Sequence, residues 1–270
     1  MFARRLRRIP LQPSLLPRWP MSAAITAGLV ALAGMAGCTH SGSTHGAAAT
    51  SAATSTQAGA LTPSRLRDAL LTRINGEGPV AAADAGSYAS LPEVQSAVRS
   101  LSAVSVTPKA CEQAIALAGA GVTGSAAGHA GSGTAGLATP AFSFGAAPAA
   151  TVSFRVGQNG VSEVLAAPGD SLAAAALGQS PPAGCAHYSV SRGGKTYRYA
   201  VQQASMTGIG KQARVTSVTA TGQPGGNIWS VVYRGNGFVG AITVVGPNAS
   251  ETAVRELAQQ AYAYAAHSLS

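Results

Sequence analysis

The chain has 270 residues, with 18 Lys and Arg against 9 Asp and Glu for a formal charge of +9, and only 10% of its residues are charged. Five of the bases, Arg4, Arg5, Arg7, Arg8 and Arg18, precede the first apolar run with no acid among them, which leaves 13 bases against 9 acids, a net of +4, for the rest. That balance is ordinary, and without Lys/Arg clusters interleaved with aromatics it gives a nucleic-acid partner no support.

Residues 1–37 read in the order basic, apolar, small, which is the order of an export signal. The apolar stretch is several residues short of the roughly 20 that a membrane-spanning helix needs, and nothing after Cys38 is long and apolar enough to span. A start at Met21 would leave this stretch with no positive flank, so the upstream arginines belong to the signal. Arg4-Arg5, with Ala3 before and Leu6-Arg7 after, matches a twin-arginine signal poorly.

The stretch ends in Met35-Ala36-Gly37-Cys38, which resembles the lipobox of bacterial lipoproteins. The resemblance implies that Cys38 carries diacylglycerol through a thioether, becomes the first residue of the mature protein and holds it on the outer face of the cell membrane. Two acyl chains matter here, because one chain, at about 0.8 kcal/mol per buried CH₂, binds only marginally. The plain alternative is an ordinary secretory signal with a cysteine at its end.

Residues 38–60 are Ser, Thr, Ala and Gly with almost no large apolar side chain, so they read as a lipid-anchored disordered tether. As a flexible coil its ends would lie about 26 Å apart. His40 and His45 fall within it as spacer residues, a weak metal site being the alternative.

Folded sequence is expected over residues 61–270. Thr62 caps and Pro63 opens a helix in which Leu66, Leu70 and Ile74 recur at helical spacing until Asn75-Gly76. A second helix is expected over 92–101, with Val94, Val98 and Leu101 on one face, and a third over 109–118 carrying Cys111. Residues 119–150 turn to Gly, Ala, Ser, Thr and Pro and read as a long flexible loop with a lone His129.

Strands follow. Residues 151–156 and 161–165 alternate about the turn at 157–160, and 185–190 and 196–203 flank Gly193-Gly194. Another strand is expected at 213–221. Residues 227–234 and 238–245 flank Asn236-Gly237, a signal for a type I′ hairpin. A short helix is expected at 171–177. In the closing helix Asn248 and Glu251 have capping-box spacing, and Val254, Leu257, Ala258, Ala261 and Ala265 form one apolar stripe. The expected fold is α+β: an antiparallel sheet of about six strands built from hairpins, with N-terminal and C-terminal helices mainly on one face.

Cys111 and Cys185 remain after the anchor, and an isolated pair in an exported chain is most simply a disulfide. Closing a loop of this size contributes roughly 4.5 kcal/mol in the chain-entropy model. A catalytic thiol or metal site is the sharper alternative, but neither cysteine has a Cys, His or acid at metal-ligand spacing.

The lipobox, Cys111 with Cys185, Val152-Ser153-Phe154-Arg155 opening the sheet, the Ile209-Gly210 turn, Val231-Val232-Tyr233-Arg234-Gly235-Asn236 and the final helix together resemble the sensor-type exported lipoproteins of high-GC Gram-positive bacteria. These are related to the extracellular sensor domains of mycobacterial receptor serine/threonine kinases. The resemblance covers residues 61–270 and implies a sensor-like domain. The kinase domains usually carry two disulfides and only one is available here, so no binding residues follow from it.

No Gly-x-Ser-x-Gly or Ser-x-x-Lys pattern occurs, and Gly208-Ile209-Gly210-Lys211 lacks the leading glycine and the Ser or Thr of a phosphate loop. His187 shares a strand face with Cys185 and Ser189 on strict alternation, but no acid is placed to orient it. Tyr197 and Tyr199 on one strand, and Trp229 and Tyr233 on another, are the candidate ligand-binding residues; packing in the core is the alternative. The function read from the sequence is a membrane-anchored, non-catalytic binding or sensor-like module without cofactor or metal, its partner a small molecule, envelope component or protein. The alternatives are a carrier of an acyl lipid in an apolar cavity and an envelope hydrolase.

Overall fold

The computed structural model describes residues 60–112, 144–221 and 227–270. The export signal, Cys38, the tether to residue 59, residues 113–118 of the third expected helix and the Gly/Ala-rich stretch with His129 to residue 143 lie outside the described residues.

Among the described residues nine strands form one antiparallel sheet in the order β1-β3-β4-β9-β8-β7-β6-β5-β2. They are β1 (Asp84–Ser87), β2 (Ser105–Thr107), β3 (Pro148–Val156), β4 (Asn159–Ala166), β5 (His187–Arg192), β6 (Lys195–Met206), β7 (Gln212–Thr221), β8 (Asn227–Arg234) and β9 (Val239–Gly246). Strands β5 to β9 run as a meander, each pairing with the next. The β3–β4 hairpin joins that meander through β4 and β9, whose register runs from Gly160 opposite Val245 to Ala166 opposite Val239. The sheet thus has nine strands rather than about six. Its two edges, β1 and β2, have four and three residues, too few for alternation to mark them.

Among the described residues four α-helices pack with the sheet: α1 (Pro63–Asp68), α2 (Pro92–Ser102), α3 (Asp170–Gly178) and α4 (Glu251–Ser268). The Thr62 side chain caps α1 by accepting the Arg65 N–H at 3.3 Å. The helix stops at Asp68, well before Ile74. Ile74 and Glu77 exchange backbone hydrogen bonds of 3.0 and 2.9 Å across Asn75-Gly76, whose φ values of 51° and 85° are those of a type I′ turn. At Asn236-Gly237 only the glycine takes positive φ, 77°. The type I′ geometry expected there is therefore found at Asn75-Gly76 instead. Ser250, not Asn248, caps α4, accepting the Ala253 N–H at 3.2 Å, and Glu251 pairs with Arg255 at 2.7 Å.

Helices cover both faces of the sheet, not mainly one. On the first face Leu66 of α1, Leu70 just after it, and α4 (Val254, Ala258, Ala261, Ala265) pack on Phe154, Val161, Leu165, Val231, Tyr233 and Ile242. On the second, Val94 of α2 and Ala173, Ala176 and Leu177 of α3 pack with Val164, Val232, Val239 and Ala241. The reason is legible in β9: Val239–Gly246 is buried at every position, and a strand without a polar face needs cover on both sides. Val98 of α2 is exposed, so the buried side of that helix runs through Val94 and Ala97.

Candidate functional site

The second face is divided by a polar midline. Register places Ser153, Ser162, Thr243, Ser230, Thr216 and Gln203 opposite one another in turn, one residue from each of six adjacent strands. The five hydroxyl residues are no more than 6% exposed. Thr243 Oγ1 donates to Ser230 Oγ at 3.1 Å, and Gln203 Nε2 to Thr216 Oγ1 at 3.3 Å. Ser153 Oγ has no hydrogen-bond partner among the described residues. Burial of a hydroxyl without a partner costs about 1–3 kcal/mol, so Ser153 is not neutral core filling.

One position beyond Thr216 on the same face of β7 stands Arg214, 6% exposed. Its Nη1 donates to the backbone oxygens of Leu177, at 2.9 Å, and Gln179, at the C-terminal end of α3. Those carbonyls are the negative end of the helix dipole, a favourable place for a cation. Arg234 holds the other end of α3, its Nη2 lying 2.9 Å from Asp170 Oδ1. That hydrogen bond and the charge of Arg234 pull the Asp170 carboxyl below its usual pKa. The two arginines thus clamp α3 on the sheet. They differ in compensation: Arg234 has a carboxylate, whereas Arg214 meets only carbonyl oxygens, and its Nε and Nη2 have no partner among the described residues. Desolvation pushes the Arg214 pKa down.

At the far end of this face the disulfide Cys111–Cys185, with Cα atoms 5.3 Å apart, ties the turn after β2 to the turn before β5. It packs among Tyr188, Val190, Tyr199, Val201, Val218 and Ile228. Tyr188 and Tyr199 stack with ring centroids 5.5 Å apart. Burial raises the pKa of both phenols, that of Tyr199 to about 12, and the Tyr188 hydroxyl has no hydrogen-bond partner among the described residues. A cavity of about 360 Å³ lies alongside, lined by Leu101, Ser102, Val104, Val106 and Glu112.

The four aromatic candidates do not converge. Tyr197 and Tyr199 belong to the second face, beside the disulfide. Trp229 and Tyr233 belong to the first. Tyr233 is fully buried under α4, its ring edge-on to Phe238 and Tyr262 at 6.4 and 5.8 Å. His187 is exposed, while Cys185 lies in the core cluster with Tyr188. The strand begins only at His187, so alternation does not extend back to Cys185. Among the described residues no three His, Cys, Asp or Glu side chains converge as a metal site.

Two buried charged groups escaped the sequence reading. Glu163, completely buried on the first face, accepts the Leu71 N–H at 2.8 Å. Its signal was an acid between Val161 and Leu165 on an otherwise apolar strand face. Arg214 had a fainter one, as a base alternating with Thr216 and Val218.

No family model matches the chain, and no curated protein matches it. Solved structures that resemble it include two from mycobacteria. The extracellular domain of PknH from Mycobacterium tuberculosis is 14% identical, with a TM-score of 0.45 over 77% of this chain and 96% of that one. An uncharacterized Rv0999 ortholog from Mycobacterium smegmatis is 11% identical, with a TM-score of 0.33 over 60% of this chain and 76% of that one.

Proposed function

We propose that this protein is a lipid-anchored extracytoplasmic module that binds a small ligand on the second face of its sheet, as a sensor-like domain without covalent chemistry. The observation that carries the reading is that buried polar atoms without partners among the described residues gather mainly on that face: Nε and Nη2 of Arg214, Nε of Arg234 and the Ser153 and Tyr188 hydroxyls, against Glu163 Oε1 and the Tyr233 hydroxyl on the first face. Protein interiors pair more than nine in ten of their buried polar groups, so this excess on the second face favours recognition over packing. The 360 Å³ cavity at the same face is within the size range of small-molecule sites. The disulfide fits an oxidising, extracytoplasmic compartment. The anchor is supported by Met35-Ala36-Gly37-Cys38 after the basic and apolar leader. A polar midline argues against an acyl-lipid carrier, whose floor must be apolar.

The test is isolation of the protein from its own envelope. The mature chain is expected to begin at a diacylated Cys38 and to enter the detergent phase, whereas Cys38→Ala stays in the aqueous phase. Native mass spectrometry of the delipidated domain is expected to show an added small-molecule mass. An unmodified terminus elsewhere removes the anchor, and a domain that neither carries nor takes up any ligand removes the binding role.

A further inference from the structure

We propose that the free edge of Arg214 is the recognition point for a small oxyanion, a carboxylate or a phosphate monoester, held on the second face beside Thr216 and Ser230. This deepens the binding role proposed above and rests on it.

The chemistry begins with the shape of the guanidinium. Nη1 is committed to the carbonyl oxygens of Leu177 and Gln179, which fixes the plane of the group against the end of α3. The atoms left over, Nε and Nη2, are the pair that share one edge of the fork and point two N–H bonds in parallel, the geometry that meets two oxygens of a carboxylate or phosphate at once. The side chain is 6% exposed, and no carboxylate among the described residues forms an ion pair with it. A buried cation that lacks a counter-charge is costly, and an anion on the free edge supplies both the charge and the two missing acceptors.

The neighbours are donors too. Thr216 Oγ1 already accepts from Gln203, and Ser230 Oγ already accepts from Thr243, so each hydroxyl retains its own proton to donate. Two guanidinium N–H bonds and two hydroxyl protons on adjacent positions of β7 and β8 form a set suited to an acceptor-only ligand. Nε and Nη2 are themselves buried, so an anion has to enter from the β6 side, where Ser205, directly across from Arg214, is exposed and Gln203 is half-buried.

The test follows the Arg214 Nε–H resonance by ¹H–¹⁵N NMR on the full chain in detergent micelles, titrated separately with inorganic phosphate and with succinate. A saturable shift with one of the two is expected, and the anion that gives it identifies the phosphate or the carboxylate class. Arg214→Lys keeps the charge and a donor for the α3 carbonyls but loses the fork, and is expected to weaken that binding about tenfold or more, read by calorimetry. Thr216→Val, which leaves Arg214 in place, is expected to weaken it several-fold. An unmoved Nε–H with both anions, or equal affinities for wild type and folded Arg214→Lys, overturns the assignment. A neutral ligand that co-purifies while Nε–H stays unmoved overturns it too, yet leaves the binding role standing. No ligand of any kind on this face removes both.

Discussion

Glu163→Gln tests how the first-face core tolerates an acid. The carboxyl is completely buried, with Oε2 accepting the Leu71 N–H at 2.8 Å and Oε1 without a partner among the described residues. Desolvation pushes its pKa from 4.5 to about 8, against the opposing pull of the Leu71 hydrogen bond. Between those two values the folded chain holds a proton that the unfolded chain has released. Stability therefore falls as pH rises through the window, at up to about 1.4 kcal/mol per pH unit, and levels off once Glu163 ionises in both states. The full span is on the order of 5 kcal/mol, an upper figure because water penetration softens burial. Glutamine keeps an acceptor for Leu71 and cannot ionise. Urea unfolding at a series of pH values across the window should show the wild type losing stability relative to Glu163→Gln, with the gap widening toward the alkaline end. Parallel pH profiles for the two proteins would refute the reasoning.

Two further changes have clear directions. Gly240 lies directly across from Tyr233, and a Cβ there would collide with the phenol ring, so Gly240→Ala should cost about 1–3 kcal/mol in urea unfolding. Adding Tyr233→Ala should cost less in the Gly240→Ala background than alone, and strict additivity in that double-mutant cycle would show that the ring does not depend on the glycine. Cys185→Ser opens the Cys111 disulfide and should lower stability by about 2–5 kcal/mol, as should reduction of the wild type. An unchanged midpoint on reduction would mean that the linkage constrains nothing in the unfolded chain.

The hairpins were legible because each is a local event: the runs 227–234 and 238–245, with Asn236-Gly237 between them, mark two strands and their turn together. The pairing of β4 with β9 has no local signature, since Gly160 meets Val245 only after the whole meander has been laid down. Which helix covers which face was hidden for the same reason, although the run of β9, apolar but for Thr243, already called for cover on both. The end of α1 was misjudged because Ile74 keeps helical spacing from Leu66 and Leu70, while Asn75 and Gly76 impose a tighter geometry than a helix end. Tyrosines drew attention as candidate binding groups, yet Tyr233 packs among Phe238 and Tyr262, and the polar midline was overlooked. Serines and threonines are common enough that only strand register, a tertiary property, reveals five of them in a single line with Gln203.

The outermost strands bear on how copies of this chain coexist. Strands near the middle of the sheet run to twelve residues, but the two margins offer only four and three residues of backbone, and Pro108, which has no N–H, follows the shorter. A neighbouring molecule seeking to extend the sheet would meet a template too brief to hold it. A wide, richly β-bonded protein is thereby kept from fusing side by side, and its margins supply that restraint with almost no sequence devoted to it.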